Sequence, residues 1–484
     1  MTIENFSEST EINRRPKREV GILTIFRLGL FNMGLGLMAV LTLAVLNRVM
    51  ISELSIPATI TGGIIATSLF VSPARVWFGQ LSDNQPLWGK HRTNYVLLGT
   101  AIFGLAVFLA VQVVWRIGAV VETNGGWLWN SQTIGWSALL CLIMAVYGLA
   151  VSSSSTPFTA LLVDITDEEK RSKLIAIVWS MLMVGIVIGG VSGSIVFKKL
   201  EAGGMSEGDI PLEILQPPIN SVFSIVPFLV LALAFIATWG VEKRYSRFTS
   251  STQTNQEGNI TITRAIKVLT TSRQTGIFFA FLSILTIGLF MQEAVLEPYG
   301  GEVFGMSIGE TTQLNAFWGI GILLGYSITG FKVIPALGKK LATKVGCVLV
   351  AVCFGLIILS GFTQQPRMLQ SAMVLFGVAA GIATVGGISL MLDLTAAKTA
   401  GTFIGAWGLA QAMSRGIATL TGGIILDIGQ GIFATPLAAY ALVFALQALC
   451  MILAIAILSQ VNIREFKEST GKALSTVMEG DLDG

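Results

Sequence analysis

One histidine, His91, and four cysteines, Cys141, Cys347, Cys353 and Cys450, are spread through 484 residues. A lone histidine excludes a His-rich metal or haem centre. The cysteines all lie inside apolar runs without CxxC spacing, so they read as small buried apolar residues and not as a disulfide framework or metal site. Charge is scarce as well. Asp, Glu, Lys and Arg make up 12% of the chain, about half the ~25% of a soluble protein. No nucleotide loop, nucleophile–base pair or metal-ligand cluster occurs, so no enzyme is expected. The net charge of +3 says little by itself, and where the charges sit says more; no nucleic-acid partner is expected. No cleavable signal peptide is expected either, because the first residues are polar and include Arg14, Arg15, Lys17 and Arg18.

Apolar residues fill the place left by charge. They form 53% of the chain, and the mean hydropathy of +0.74 is that of an integral membrane protein. A membrane-crossing helix needs about 20 mostly apolar residues. Twelve such spans are expected, at roughly 28–50, 58–79, 94–115, 135–157, 174–196, 221–240, 276–297, 312–333, 343–362, 369–391, 402–426 and 436–460. On that topology 24 of the 31 Lys and Arg residues fall in the tails and loops on the side of the termini, and 5 on the other side. The positive-inside rule then makes both termini cytoplasmic. Membrane lipids are accordingly expected partners.

The expected organisation is a cytoplasmic segment 1–27, a six-helix half 28–240, a linker 241–275, a second six-helix half 276–460 and a cytoplasmic tail 461–484. Within the linker, TSSTQTNQEGN lacks apolar periodicity, whereas ITRAIKVLTTSR suits either a helix on the membrane surface or an ordinary loop helix. Leu161–Gly193 can be laid on Leu390–Gly422 at a constant offset of 229, matching Asp164 with Asp393 and Gly193 with Gly422. Two related six-helix halves would enclose a central cavity, the major facilitator plan.

Several residues stand out. Gly79, Leu81 and Asp83, followed by Gly89, Lys90 and Arg92, resemble the major facilitator loop between spans two and three, with Asn84–Trp88 added. There glycine would let helices touch, Asp83 would cap or pair across the halves, and the basic cluster would anchor to headgroups. Asp164, Asp167, Glu168, Glu169, Lys170, Arg171 and Lys173 form either a related gating loop or a solvated charged turn. Small residues at Gly185/Gly189/Gly193, Gly321/Gly325, Gly377/Gly381 and Gly401/Gly405 predict close helix contacts. Ser152–Ser155 before Pro157 predict a kink whose free carbonyls the hydroxyls satisfy. Glu293 and Glu297, four apart, are expected on one face of span seven, in the cavity or at its outer mouth, as a proton site, a ligand contact or two interfacial acids. Arg415, deep in span eleven, should face the cavity or an acidic partner.

Asn47-Arg48-Val49-Met50 with Glu53-Leu54 and Pro57-Ala58 is no general facilitator motif. With Ser72-Pro73-Ala74-Arg75, Ser82-Asp83, Asn94-Tyr95 and the flanking Arg27-Leu28-Gly29-Leu30-Phe31 and Met33-Gly34-Leu35-Gly36, it resembles the bacteriochlorophyll delivery family, the PucC/LhaA-like proteins of phototrophs. Ala74 and His91 stand where that family more often has Phe and Arg, which suggests a divergent member. The resemblance implies delivery of chlorophyll a or bacteriochlorophyll to antenna or photosystem apoproteins in a thylakoid or photosynthetic inner membrane. It makes Asn47, Arg48, Glu53 and Arg75 ligand or partner contacts. A magnesium ligand would have to be Glu, Asn, Gln, main-chain carbonyl or water, since His91 lies in a loop. The alternatives are a cation- or proton-coupled transporter of a small solute, using Glu293, Glu297 and Arg415, and a non-transporting scaffold.

Overall fold

The computed structural model describes residues 20–166, 168–201, 212–246, 273–394 and 400–462. The proposed surface helix of the linker and the loop residue Asp167 lie outside these. All regular elements among the described residues are helical. Among the described residues, ten helices are long and apolar enough to cross a membrane. The segment Ala58–Phe70 plus Ala74–Asn84, and the helix Ala400–Ile432, complete twelve passes in chain order. The expected all-α, twelve-pass architecture is the one observed.

The boundaries differ where the chain breaks a helix. The first pass runs Ile22–Glu53, longer than the expected span, and includes two π-helical stretches, Val40–Val45 and Val49–Glu53. These flank Leu46–Arg48 and rotate it relative to a straight helix. The second pass is interrupted at Val71–Pro73, because Pro73 has no N–H to donate and disfavours helix just before it. The seventh pass ends as an α-helix at Phe290, continues as a 3-10 turn Met291–Ala294 and restarts as Leu296–Phe304. Pro157, by contrast, lies within an uninterrupted helix Ser131–Asp164. The hydroxyls of Ser152–Ser155 bond to the carbonyls of Gly148, Ala150 and Val151, a turn before the Ser153 carbonyl that Pro157 leaves free.

Each half has its own apolar core. One is built around Phe103, Leu140 and Phe223, the other around Phe281, Phe354 and Phe444. The halves meet along two seams, where the fifth pass (Glu168–Glu201) packs on the eighth (Ile308–Leu337) and the second packs on the eleventh. Val40, Ala44, Met183, Ile186 and Ile322 form a small apolar cluster at the first seam. Small residues permit the approach. A Cβ on Gly190 would lie 3.0 Å from Ala316, and one on Gly62 would lie 2.8 Å from the Thr419 carbonyl oxygen. Within the second half, Gly321 and Gly325 cross Gly377 and Gly381, as the spacing predicts. The side chains around Gly401 and Gly405 lie outside the described set.

Candidate functional site

The break in the seventh pass creates the site. A helix break leaves main-chain carbonyls without helical donors, and Pro298 cannot donate to the carbonyl of Ala294 four residues earlier. Donors come instead from the other half. Asn47 Nδ2 donates to the carbonyls of Ala294 at 3.0 Å and Glu293 at 3.3 Å. Arg48 Nη1 donates to the Glu297 carbonyl at 3.1 Å and Thr311 Oγ1 at 3.4 Å, and Nη2 donates to the Met306 carbonyl at 2.9 Å. Arg48 Nε also lies 3.5 Å from Glu53 Oε1, with both side chains at most 2% exposed. Asn47 and Arg48, expected as ligand or partner contacts, thus form a buried clasp between the halves, with Glu53 beside Arg48.

Glu297 lies in the same region, fully buried. Its Oε1 accepts from Asn315 Nδ2 at 2.8 Å, and its Oε2 has no hydrogen-bond partner. Glu293 does not share a face of one continuous α-helix with it, because the 3-10 turn and the Val295 backbone (φ −128°, ψ −12°) intervene. Glu293 turns to Arg415, whose Nε and Nη2 donate to its two carboxylate oxygens at 2.9 and 2.5 Å. The Arg415 guanidinium also lies 4.6 Å from the Phe290 ring centre, within cation–π range.

A second tie closes the same end of the molecule. Asp427, near the end of the eleventh pass, accepts from the main-chain N–H of Ala58 at 3.0 Å and of Thr59 at 2.8 Å. It caps a helix that has no side-chain cap of its own. Sequence reasoning passed over Asp427, although a lone acid directly after the expected span 402–426 was the available signal. Met306, Thr311 and Asn315 were also missed. Met306 contributes a carbonyl, which no side-chain pattern announces.

The loop on the side of the termini has a different arrangement. Arg92 is 3% exposed and pairs through Nη1 with Asp83 at 2.5 Å and through Nε with Asp164 at 2.9 Å. Nη1 also bonds Ser82 Oγ at 2.6 Å. Glu242 accepts from the N–H groups of His91, Arg92 and Thr93 at 2.7, 3.2 and 2.7 Å, capping the third pass, Thr93–Thr123. Glu242 too was missed; it is the one acid at the start of a basic stretch. Asp83 pairs with Arg92 of its own half, where a cap or a pairing across the halves was expected. Burial also removes Arg92 from a headgroup-anchoring role. Gly89 serves a turn at φ 78°, which favours glycine. Lys90 is exposed. Gly79 faces Thr156 at ordinary van der Waals distance, so no close helix contact depends on it. The side chain of Arg171 lies outside the described residues.

Arg75 opens the second half of the interrupted second pass and is exposed. Among the described residues no group of three or more His, Cys, Asp or Glu could hold a metal ion.

The family model described as PUCC protein matches residues 45–466. The chain belongs to the PUCC protein family. It is 29% identical over 446 residues to the Bacteriochlorophyll synthase 44.5 kDa chain of Rhodobacter capsulatus, covering 90% of this chain and 94% of that relative. It is 28% identical to Protein PucC of the same species, covering 90% and 92% of the two chains. Among solved structures it is similar to the nucleoside transporter NupG, with TM-score 0.65, 12% identity and coverage of 90% and 99%. It is also similar to a bacterial homologue of the iron transporter ferroportin in an inward-facing state, with TM-score 0.64, 12% identity and coverage of 91% and 99%. At such identities the likeness establishes the fold, that of a major facilitator. The chain is an integral membrane protein of that fold in a family whose named relatives come from photosynthetic bacteria.

Proposed function

We propose that the protein is a (bacterio)chlorophyll carrier or assembly factor that delivers pigment to light-harvesting or photosystem apoproteins in a photosynthetic membrane. The carrying observation is that Asn47 and Arg48, which belong to the motif that resembles the pigment-delivery family, supply the clasp that holds the two halves together. A carrier exposes its cargo site by rocking one half against the other. Residues that clamp one end of that motion are where carrier specificity and gating combine. On the proposed topology the clasp and Asp427 close the non-cytoplasmic end, while Arg92, Asp83 and Asp164 brace the cytoplasmic end of the first half.

The test is the absorption spectrum of the protein purified from a phototrophic host, together with deletion of its gene. Red chlorophyll bands in stoichiometric amount and reduced chlorophyll–protein complexes are expected. A colourless protein with unchanged complexes would overturn the proposal.

One observation favours the transporter alternative. Glu297 is a buried carboxylate with one unpartnered oxygen at the boundary of the halves, the kind of group that couples proton movement to transport. Uptake of a small solute into proteoliposomes, abolished in Glu297→Gln, would establish that reading in place of pigment delivery.

A further inference from the structure

The third pass and the sixth, Leu212–Thr238, lie against each other in opposite directions. A Cβ on Gly104 would lie 3.0 Å from Pro227. Nearer the end of the molecule that carries the termini, Glu242, just past the sixth pass, accepts from the Thr93 N–H at 2.7 Å. Between these two contacts an outward-facing groove of about 400 Å³ is lined by Leu97, Phe228, Leu231, Ala232 and Phe235, all of them apolar. Phe228 and Phe235 share one helix face and are exposed. One turn further on, the exposed Trp239 meets the Phe235 ring edge-on, 4.5 Å between ring centres. Tryptophan with its ring in the open at the end of a pass marks the membrane–water boundary.

The polar end of the groove is basic. Arg27, from the first pass, donates from Nη2 to the Trp239 carbonyl at 3.0 Å, and its Nε has no hydrogen-bond partner. Gly240, at φ 67°, turns the chain into the short helix Val241–Tyr245. Val241 is buried against Ile25 and Val96, and both Tyr245 and the groove residue Leu97 pack on that same cluster. This packing holds the short helix at the mouth of the groove. Lys243 and Arg244 stand exposed on it, with the Arg244 guanidinium 5.8 Å from the centre of the Tyr245 ring. Neither makes an ion pair among the described residues. Glu242, between Val241 and Lys243, is turned onto the N–H groups of His91, Arg92 and Thr93. An apolar groove that ends at an interfacial tryptophan and three cations has the polarity of a lipid, acyl chain first and anionic headgroup after it. A neutral lipid or a neutral pigment would leave those cations without a counterion.

We propose that this groove and its basic rim form a binding site for an anionic phospholipid. An acyl chain lies along Leu97, Phe228 and Phe235, and the headgroup phosphate pairs with Lys243 and Arg244, with Arg27 beside it. The bound lipid touches the first, third and sixth passes and so ties three helices of the first half together at the end that carries the termini. The site is independent of which cargo the protein carries.

The test titrates the full-length protein in non-ionic detergent with phosphatidylglycerol and with phosphatidylcholine of the same acyl chains, and counts bound lipid by native mass spectrometry. Phosphatidylglycerol is expected to bind about tenfold more tightly, from the attraction of the basic rim for an anionic headgroup. Lys243→Gln with Arg244→Gln should remove that preference. Arg273→Gln with Lys332→Gln, which removes two exposed charges from the second half, should keep it. Ala232→Trp, which fills the groove and leaves the rim intact, should weaken phosphatidylglycerol binding. Equal binding of the two lipids by the unaltered protein would overturn the site, as would be seen if an apolar partner helix were the natural occupant. An equal loss in the two charge-removing pairs would reduce the preference to general attraction and overturn it too. Glycerol phosphate competing as well as the intact lipid would leave a phosphate site without a lipid groove.

Discussion

Arg48 Nη2 donates to the carbonyl of Met306 at 2.9 Å, across 258 residues of chain and between the two halves of the molecule. The same guanidinium reaches the Glu297 carbonyl and sits beside Glu53. A buried arginine with main-chain carbonyls as acceptors and a carboxylate beside it is a position where charge, fork geometry and burial all matter together.

Arg48→Met should therefore be costly for a specific reason. It strands the buried Glu53 carboxylate and several carbonyls. Loss of about 3–5 kcal/mol is expected, as for other buried pairs broken on one side. Arg48→Met combined with Glu53→Gln should recover part of that loss, because the Glu53 charge is removed along with the arginine beside it. Thermal unfolding of the purified protein in detergent, across the full double-mutant cycle, measures both. Additive losses would show that the two residues do not act as a pair.

Asp427 gives a second handle on the same end. Asp427→Ala removes a cap from a helix in the opposite half, a change worth about 0.5–2 kcal/mol. Because the cap joins the halves, the loss should appear chiefly as opening of that end. Spin labels on Thr59 and Asp427's neighbour Ile428 should report a broader, longer distance distribution in Asp427→Ala. Asp427→Asn keeps an acceptor oxygen and should lie between it and the parent. An unchanged distribution would make Asp427 a local cap without influence on the opening.

Much of this was legible in the sequence, and the limits have physical causes. Twelve passes follow from apolar run length alone. Arg48, Glu293, Glu297 and Arg415 stood out because charge in an apolar span asks for a partner. Their pairing did not follow, because four-residue spacing implies a shared face only where the helix is continuous. Pro298 was the visible warning, since its missing N–H undermines the turn before it. The π-helical stretches flanking Leu46–Arg48 have no composition signal. They are settled by how the first pass packs, and they determine which way Asn47 and Arg48 face.

At the other end Arg92 is a hub that pairs with both Asp83 and Asp164. Arg92 is buried while its partner Asp83 is 43% exposed. Arg92→Ala should cost about 3–5 kcal/mol, because Asp164 loses its counterion in a half-buried place. Asp83→Ala should cost less than about 1 kcal/mol, as for exposed pairs. Neither should alter the distance between the halves at the Asp427 end, since the ion pairs with Asp83 and Asp164 lie within one half. Unfolding midpoints and the same spin-label distances check the two statements separately. A change of inter-half distance in Arg92→Ala would make this loop a gate, as its resemblance to the facilitator loop suggests.

The first and fifth passes cross with main chain against main chain. Gly36 and Gly185 each face the main chain of the other helix: a Cβ on Gly36 would meet the Leu182 carbonyl, and one on Gly185 would meet that of Met33. Backbone cannot move aside as a flexible side chain can, so any added atom must push the helices apart. Gly185→Val is expected to cost about 1–3 kcal/mol or more through overpacking. It should also disturb the π-helical stretch that positions Arg48, which lies further along the same first pass. Gly355 supplies the contrast, because a Cβ there would have no neighbour within 4 Å. Gly355→Ala should stay within about 1 kcal/mol of the parent, or stabilise slightly through helix propensity. Unfolding midpoints for both variants in the same detergent decide the matter. Equal tolerance at Gly185 and Gly355 would mean that the close crossing does not govern how the first pass is placed.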